Sequence, residues 1–197
     1  MRPATLPASP LAGLRTVELT EADAPLLQRF HDANPGYFEL VHGEPAQPDQ
    51  ARRELAERPP AGMPYAKCWQ VGYLDEGGRI AAFAGLVTDL IAPGVCHLGL
   101  FIVEAARHGN GDARTLYDGL EAWAVEHGAT WMRLGVVVGN TRAETFWSRR
   151  GFVESRRREG NVMGRRVNTV RAMFKPLAGG TREEYLARVA RDRVDAP

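Results

Sequence analysis

One stretch restricts the fold of this chain more than any other. Residues 98–127 read LGLFIVEAARHGNGDARTLYDGLEAWAVEH. The apolar run Leu100, Phe101, Ile102, Val103 has the length and β-branched content of a strand. A turn follows with two glycines two apart, Gly109 and Gly111. Then Ala113, Leu116, Leu120, Trp123, Ala124 and His127 recur at three- and four-residue steps, which gives a helix one buried face. Strand, glycine turn and helix aim backbone N–H groups and a positive helix end at one point, where an anion is favoured. Two glycines so spaced also serve a plain structural turn, so this pattern alone leaves both readings open.

The remaining chain supports a single α/β domain. Its 197 residues suffice for a sizeable core, and 44% hydrophobic with 25% charged residues is ordinary for a globular protein. Residues 1–13 are rich in Pro and Ala and are expected to be loose. Residues 14–177 form the domain, and 178–197 a helical tail. A formal net charge of +1 attracts no polyanion, and no aromatic-interleaved basic motif appears, so no nucleic-acid partner is expected. No apolar run reaches the ~18 residues of a membrane span, and the first residues lack the apolar core of a secretory signal. The two cysteines, Cys68 and Cys96, lie in strand-like apolar runs and read as free thiols of a cytoplasmic protein. The five histidines are scattered without metal-ligand spacing, so no metal is expected.

In chain order, residues 14–19 alternate as a first strand, and Thr20 with Asp23 and Pro25 opens a helix to about Ala33. Asn34-Pro35-Gly36 reads as its stop. A second helix spans 48–57. Residues 67–74 and 79–91, split by Asp75-Glu76-Gly77-Gly78, form a hairpin. The strand at 96–103 carries Gly99, a sign of a bulge or of close backbone approach. Residues 131–138 are apolar enough for a strand covered on both faces, so 96–138 reads as a right-handed parallel crossover. Gly119, inside the crossover helix, is expected to let it sit close on the sheet. A short helix at 141–150 and strands at 151–158 and 167–175 follow, with Gly160-Asn161 as their connection. Thr181 to Glu184 is a capping box opening a terminal helix, which docks on this chain or, in a homodimer, on its partner.

A second signature sharpens the glycine turn. Residues 140–152 read NTRAETFWSRRGF. Together the two stretches resemble the GNAT superfamily of acyl-CoA-dependent N-acetyltransferases. Val103 stands at the strand-ending valine of the first motif, and Gly111 and Ala113 fill its last two slots. Asn140, Ala143, Phe146, Gly151 and Phe152 match the second motif. His108 replaces the usual Gln or Arg, and Trp147 the usual Tyr.

The resemblance implies a mixed, mostly antiparallel twisted sheet of about seven strands flanked by helices, with a parallel central pair near 96–103 and 131–138. It implies acetyl-CoA as co-substrate and acetyl transfer to a primary amine, small molecule or peptide, by direct attack in a ternary complex. The alternative is a CoA-binding module for sensing or assembly with little catalysis. The turn residues His108, Gly109, Asn110, Gly111, Asp112, Ala113 and Arg114 would surround the pyrophosphate, with Asp112 tolerable only if its carboxylate points away. Main-chain groups of Phe101, Ile102 and Val103 would hold the pantetheine arm beside Asn140, Phe146 and Trp147. Tyr37 and Phe38 would line the acceptor pocket or plug the core edge. A proton must leave the ammonium before attack. His97 and Glu104 are the side-chain candidates for taking it, and Trp147 would wall the thioester where the family's Tyr protonates the thiolate.

Overall fold

The computed structural model describes residues 5–196. Strand β1 (Arg15–Glu18) leads through a single 3-10 turn into α1 (Ala24–Ala33), α2 (Pro35–Val41) and α3 (Gln50–Ala56). The hairpin β2 (Lys67–Leu74) and β3 (Ile80–Thr88) follows, then β4 (Val95–Val103), α4 (Asp112–Glu126) and β5 (Trp131–Val137). Helix α5 (Thr141–Arg149), strands β6 (Val153–Met163) and β7 (Arg166–Pro176), and α6 (Arg182–Arg188) complete the chain. The seven strands form one sheet in the order β1-β2-β3-β4-β5-β7-β6. Only β4 and β5 run parallel, joined by the α4 crossover.

Strand alternation divides the core in two. Ala82, Ala84 and Leu86 of β3 meet Leu116, Leu120 and Trp123 of α4 on one face. Phe83 points the other way, into a cluster with Leu27, Phe30, Phe38 and Leu55 of α1 to α3. A third cluster sits at the end of β5, where α6 docks on its own chain: Tyr185 stacks on Phe174 with centroids 4.2 Å apart and lies against Trp131. The capping box forms as expected, with Thr181 Oγ1 accepting from Glu184 N at 3.2 Å and Thr181 N donating back at 2.7 Å.

Three expectations are corrected and a fourth is extended. α1 ends at Ala33 before Asn34-Pro35-Gly36 as expected, but helical structure resumes at once, because Pro35 opens α2, where its missing N–H costs nothing. Residues 5–13 are packed: the Trp123 indole donates to Thr5 O at 2.6 Å, and Leu6 and Leu11 join the α4 cluster. Residues 1–4 lie outside the described residues. Gly119 makes room for Pro10 of that segment, whose ring lies 3.0 Å from where a Cβ would stand, not for the sheet. Gly160-Asn161 lies inside β6 at a register irregularity, and the chain reverses instead between Met163 and Arg166.

The central pair defines the site. β4 and β5 pair only from Val95–Leu98 against Trp131–Leu134. On the other side of β4, Leu86 faces Leu98 and Gly85 faces Leu100, which leaves Gly99 as the extra residue of a bulge. Beyond it β5 continues on β7 alone and the two parallel strands part.

Candidate functional site

Two clefts meet at this parting. The first, about 300 Å³, lies between the splayed strands and is lined by Leu98–Phe101 of β4, Gly135–Val137 of β5, Asn140 and Trp147. The second, about 550 Å³, lies toward α2 and α3 and is lined by Tyr37, Phe38, Glu54, Cys68, Gln70 and Arg191, among others. Tyr37, His97, Gly99, Leu100, Arg133, Arg158 and Met163 line both. The bulge is therefore the passage between them.

Along β4 the main-chain groups alternate. Glu104 N donates to Ala81 O, so Ile102 is also turned to β3, and Phe101 and Val103 face the open edge. Of the three residues expected to offer main-chain groups, Ile102 is thus withdrawn. Val103 O is taken by the His108 ring at 2.7 Å, while Arg142 Nη1 donates to the other ring nitrogen at 2.8 Å. Both nitrogens of His108 are engaged within the protein, so it ties the turn to β4 and α5 rather than offering a free donor. Gly109 and Gly111 both have φ of 88°, and a Cβ at either would meet nothing within 4 Å. The left-handed backbone explains the glycines, and the empty space lies just ahead of the α4 N-terminus. Asp112 is drawn off by Arg107, whose Nη1 lies 3.2 Å from its carboxylate. Asn110 is exposed, Ala113 is half-buried against the α4 core, and Arg114 is exposed beside Asp118 at 3.5 Å.

Trp147 walls the first cleft from a buried position, packed on Tyr117, Phe152 and Phe101 at centroid distances of 5.1, 5.4 and 6.1 Å. Phe146 packs behind it at 4.7 Å and lines neither cleft. Asn140 lines the first cleft but also caps α5, its Oδ1 accepting from Ala143 N at 3.2 Å. Asn140→Ala is therefore expected to lower the melting temperature by about 2–4 °C, through loss of a cap worth ~1 kcal/mol. Calorimetry of the ligand-free variant checks this; an unchanged midpoint would assign Asn140 to ligand contact alone.

The proton-taking candidates separate. Glu104 pairs with Arg107 at 3.5 Å and lines neither cleft. His97 stands at the passage, its Nδ1 3.1 Å from Arg133 O and 3.2 Å from Arg133 Nη1. Burial and the adjacent guanidinium pull it down to about 3, so it is neutral near pH 7 and a feeble base. The residue that sequence reasoning missed is Glu54. Its side chain is 10% exposed and lines the second cleft, and among the described residues its buried Oε2 has no hydrogen-bond partner. Burial, helped by Glu57, pushes its carboxyl up to about 8. His31, 3.5 Å away, is held by burial at about 4, so it supplies no compensating charge at neutral pH. The Tyr37 hydroxyl is raised by burial and by Glu54 and Glu57, and stays a phenol. Cys68 lines the same cleft, but burial raises its thiol, which disfavours the thiolate a covalent nucleophile needs.

Comparisons with known proteins bear on the family and the fold. The profile described as Acetyltransferase (GNAT) family matches residues 27–152, more than half of the chain. No curated protein matches in sequence. Among solved structures, a Vibrio cholerae spermidine N-acetyltransferase in complex with CoA and spermine is 16% identical with a TM-score of 0.64, covering 85% of this chain and 98% of that one. The Escherichia coli ribosomal-protein-S18-alanine N-acetyltransferase is 18% identical with a TM-score of 0.61, covering 86% and 97%. An acetyltransferase from Thermus thermophilus is 20% identical with a TM-score of 0.63, covering 83% and 96%.

Proposed function

The chain belongs to the GNAT acetyltransferase family, and on that premise we propose that it moves an acetyl group from acetyl-CoA to a primary amine by direct attack in a ternary complex. The observation that carries this reading is the passage at Gly99, where the cleft between β4 and β5 opens into the cleft holding Glu54. Related folds act on dissimilar amines, the spermidine and ribosomal-protein enzymes among them, so the acceptor must be argued from this chain's own second cleft.

The residues present fit the co-substrate. Main-chain groups of Phe101 and the N–H of Val103 on the parted edge of β4 would hold the pantetheine arm. The open space at Gly109 and Gly111 admits the pyrophosphate against the α4 N-terminus. Acetyl-CoA supplies the acetyl group as an activated thioester. Glu54 takes the proton of the ammonium and leaves a neutral nucleophile. Tyr37, at the passage, offers a neutral hydroxyl, and Trp147 excludes water from one wall. A thiolate leaves tolerably near neutral pH, since thiol pKa values lie only about 1–2 units above it. A side-chain acid in place of Trp147 is therefore not required. We place the protein in the cytoplasm on its two free cysteines.

The test is release of CoA thiol from acetyl-CoA across a panel of amines. Amine-dependent release with acetylated product supports transfer. Tight acetyl-CoA binding without release from any amine would instead favour a sensing or assembly module. A variant tests the cradle itself. Gly111→Val places a β-branched residue at φ 88° and fills the open space, so it should lose most of the acetyl-CoA-dependent rise in melting temperature. The rise is read against the variant's own ligand-free midpoint, which backbone strain of ~1–2 kcal/mol lowers. A full ligand-dependent rise would move the cradle elsewhere.

A further inference from the structure

The second cleft has an unbalanced electrostatic pole built from β5, β6 and the C-terminal tail, and its Arg158, Arg191 and Asp192 lie beyond the residues the family profile matches. Asp192 is fully buried. Its carboxylate accepts from Arg133 Nε and Nη2 at 2.8 Å each, from Arg158 Nη2 at 2.7 Å and from the Tyr185 hydroxyl at 2.6 Å. One carboxylate thus serves two guanidiniums. A third, Arg191, has only the Met63 thioether as side-chain partner, at 3.4 Å, among the described residues. Arg133, Arg158 and Arg191 all line the second cleft. Three fixed cations against one buried anion are costly in a partly desolvated cleft unless another anion joins them. Burial and neighbouring guanidiniums hold Arg158 and Arg191 below the usual guanidinium range, a sign of the same crowding.

The α3 side of the cleft has the opposite character. Glu54 and Gln70 line it; among the described residues Glu54 Oε2, buried 3.5 Å from His31 Nε2, and the buried Gln70 Oε1 have no hydrogen-bond partner. These are acceptors, suited to an ammonium group. Glu57 and Arg58, successive exposed residues on the rim, offset each other. One cleft therefore offers acceptors for an amine and, in Arg191 and in the N–H groups of Arg158 other than the Nη2 given to Asp192 and Arg191 O, guanidinium donors for an oxyanion.

Resting on the reading of this cleft as the acceptor pocket, we infer that the acceptor is a small amino acid-like molecule. Its amine lies toward Glu54 and its anionic group, carboxylate or phosphate-type, is held by Arg191 and Arg158. Arg133 is committed to Asp192 and His97 and positions the others. A cleft of about 550 Å³ has room for such a molecule.

The experiment measures kcat and KM by CoA release with matched acceptors: standard amino acids, their α-amides, their decarboxylated amines and their aminophosphonates. Amino acid binding in the presence of CoA is read separately as a rise in melting temperature. The acids or phosphonates should exceed the amides and plain amines by roughly ten- to a hundredfold in kcat/KM, the worth of a charge-assisted hydrogen bond, mostly through KM. A carboxylate preference over phosphonate, or the reverse, identifies the anion. Arg191→Gln, with Arg158→Gln as a second variant, should bring the acid-to-amide ratio toward one. Equal or better turnover of the amides and plain amines by the unaltered enzyme overturns this inference and leaves acetyl transfer standing. So does a ratio unchanged in both folded variants. Absence of release with every amine overturns the acetyltransferase reading, and this inference with it.

Discussion

Glu54→Gln is expected to lose roughly 10²–10⁴ in kcat/KM, the usual worth of a positioned general base. The amide keeps the shape of the carboxyl and cannot take a proton. In the unaltered enzyme the rate should climb as pH rises through about 8, where the carboxyl ionises. That limb should vanish in the variant. Stability should move the opposite way. The carboxyl is raised from its ordinary 4.5 to about 8, so between these values the native state keeps a proton that the unfolded chain releases. The stabilisation it contributes is full below about 4.5 and is lost as pH rises through about 8. Glu54→Gln removes that loss. The variant should therefore melt higher than the parent at pH 8, with the gap closing toward pH 4. A slower enzyme with an unchanged pH profile would make Glu54 a wall of the pocket and not its base.

Asp192→Ala is expected to cost about 3–5 kcal/mol, which for a chain of this size lowers the melting temperature by roughly 6–20 °C. The magnitude follows from what is left behind. Arg133, 8% exposed, loses both ends of a bidentate pair, and Arg158 and the Tyr185 hydroxyl lose their acceptor. Burial alone would raise the Asp192 carboxyl, but Arg133, Tyr185 and Arg158 outweigh it and hold it below the usual carboxylate range. Its stabilisation is thus present at neutral pH and is lost as pH falls through that depressed value. The midpoint gap between the parent and Asp192→Asn should narrow accordingly in acid. Equal midpoints at neutral pH would mean that the tail is not anchored through this pair.

Most of the sheet was legible because its signals are local. The bulge at Gly99 and the parallel crossover through α4 appear where the glycine and the apolar periodicity put them. Two boundaries misled for equally local reasons. Asn34-Pro35-Gly36 follows the end of α1 as read, but Pro35 also starts α2, which the sequence reading did not foresee. Gly160-Asn161 resembles a turn but is absorbed as an irregularity inside β6. The glycine turn ahead of α4 was legible in the same way, whereas the ties of His108 were not. Its partners, Val103 O and Arg142, are settled by tertiary packing.

Glu54 is one carboxylate in a polar helix, distinguished only by standing three residues after the buried Ala51 and one before the buried Leu55. That register places it on the inward stripe, and it was the available clue. Arg133, a lone charge in an otherwise apolar strand, similarly announced a buried partner. Nothing local could say that the partner was Asp192, 59 residues away.

A crystal structure with acetyl-CoA bound is the most direct test. The account predicts the pyrophosphate against residues 109–113, the pantetheine arm along Phe101 and Val103, and the thioester at the Gly99 bulge, open to Glu54 across the second cleft. Acetyl-CoA ordered outside the β4–β5 parting, or a thioester closed off from Glu54, would contradict it.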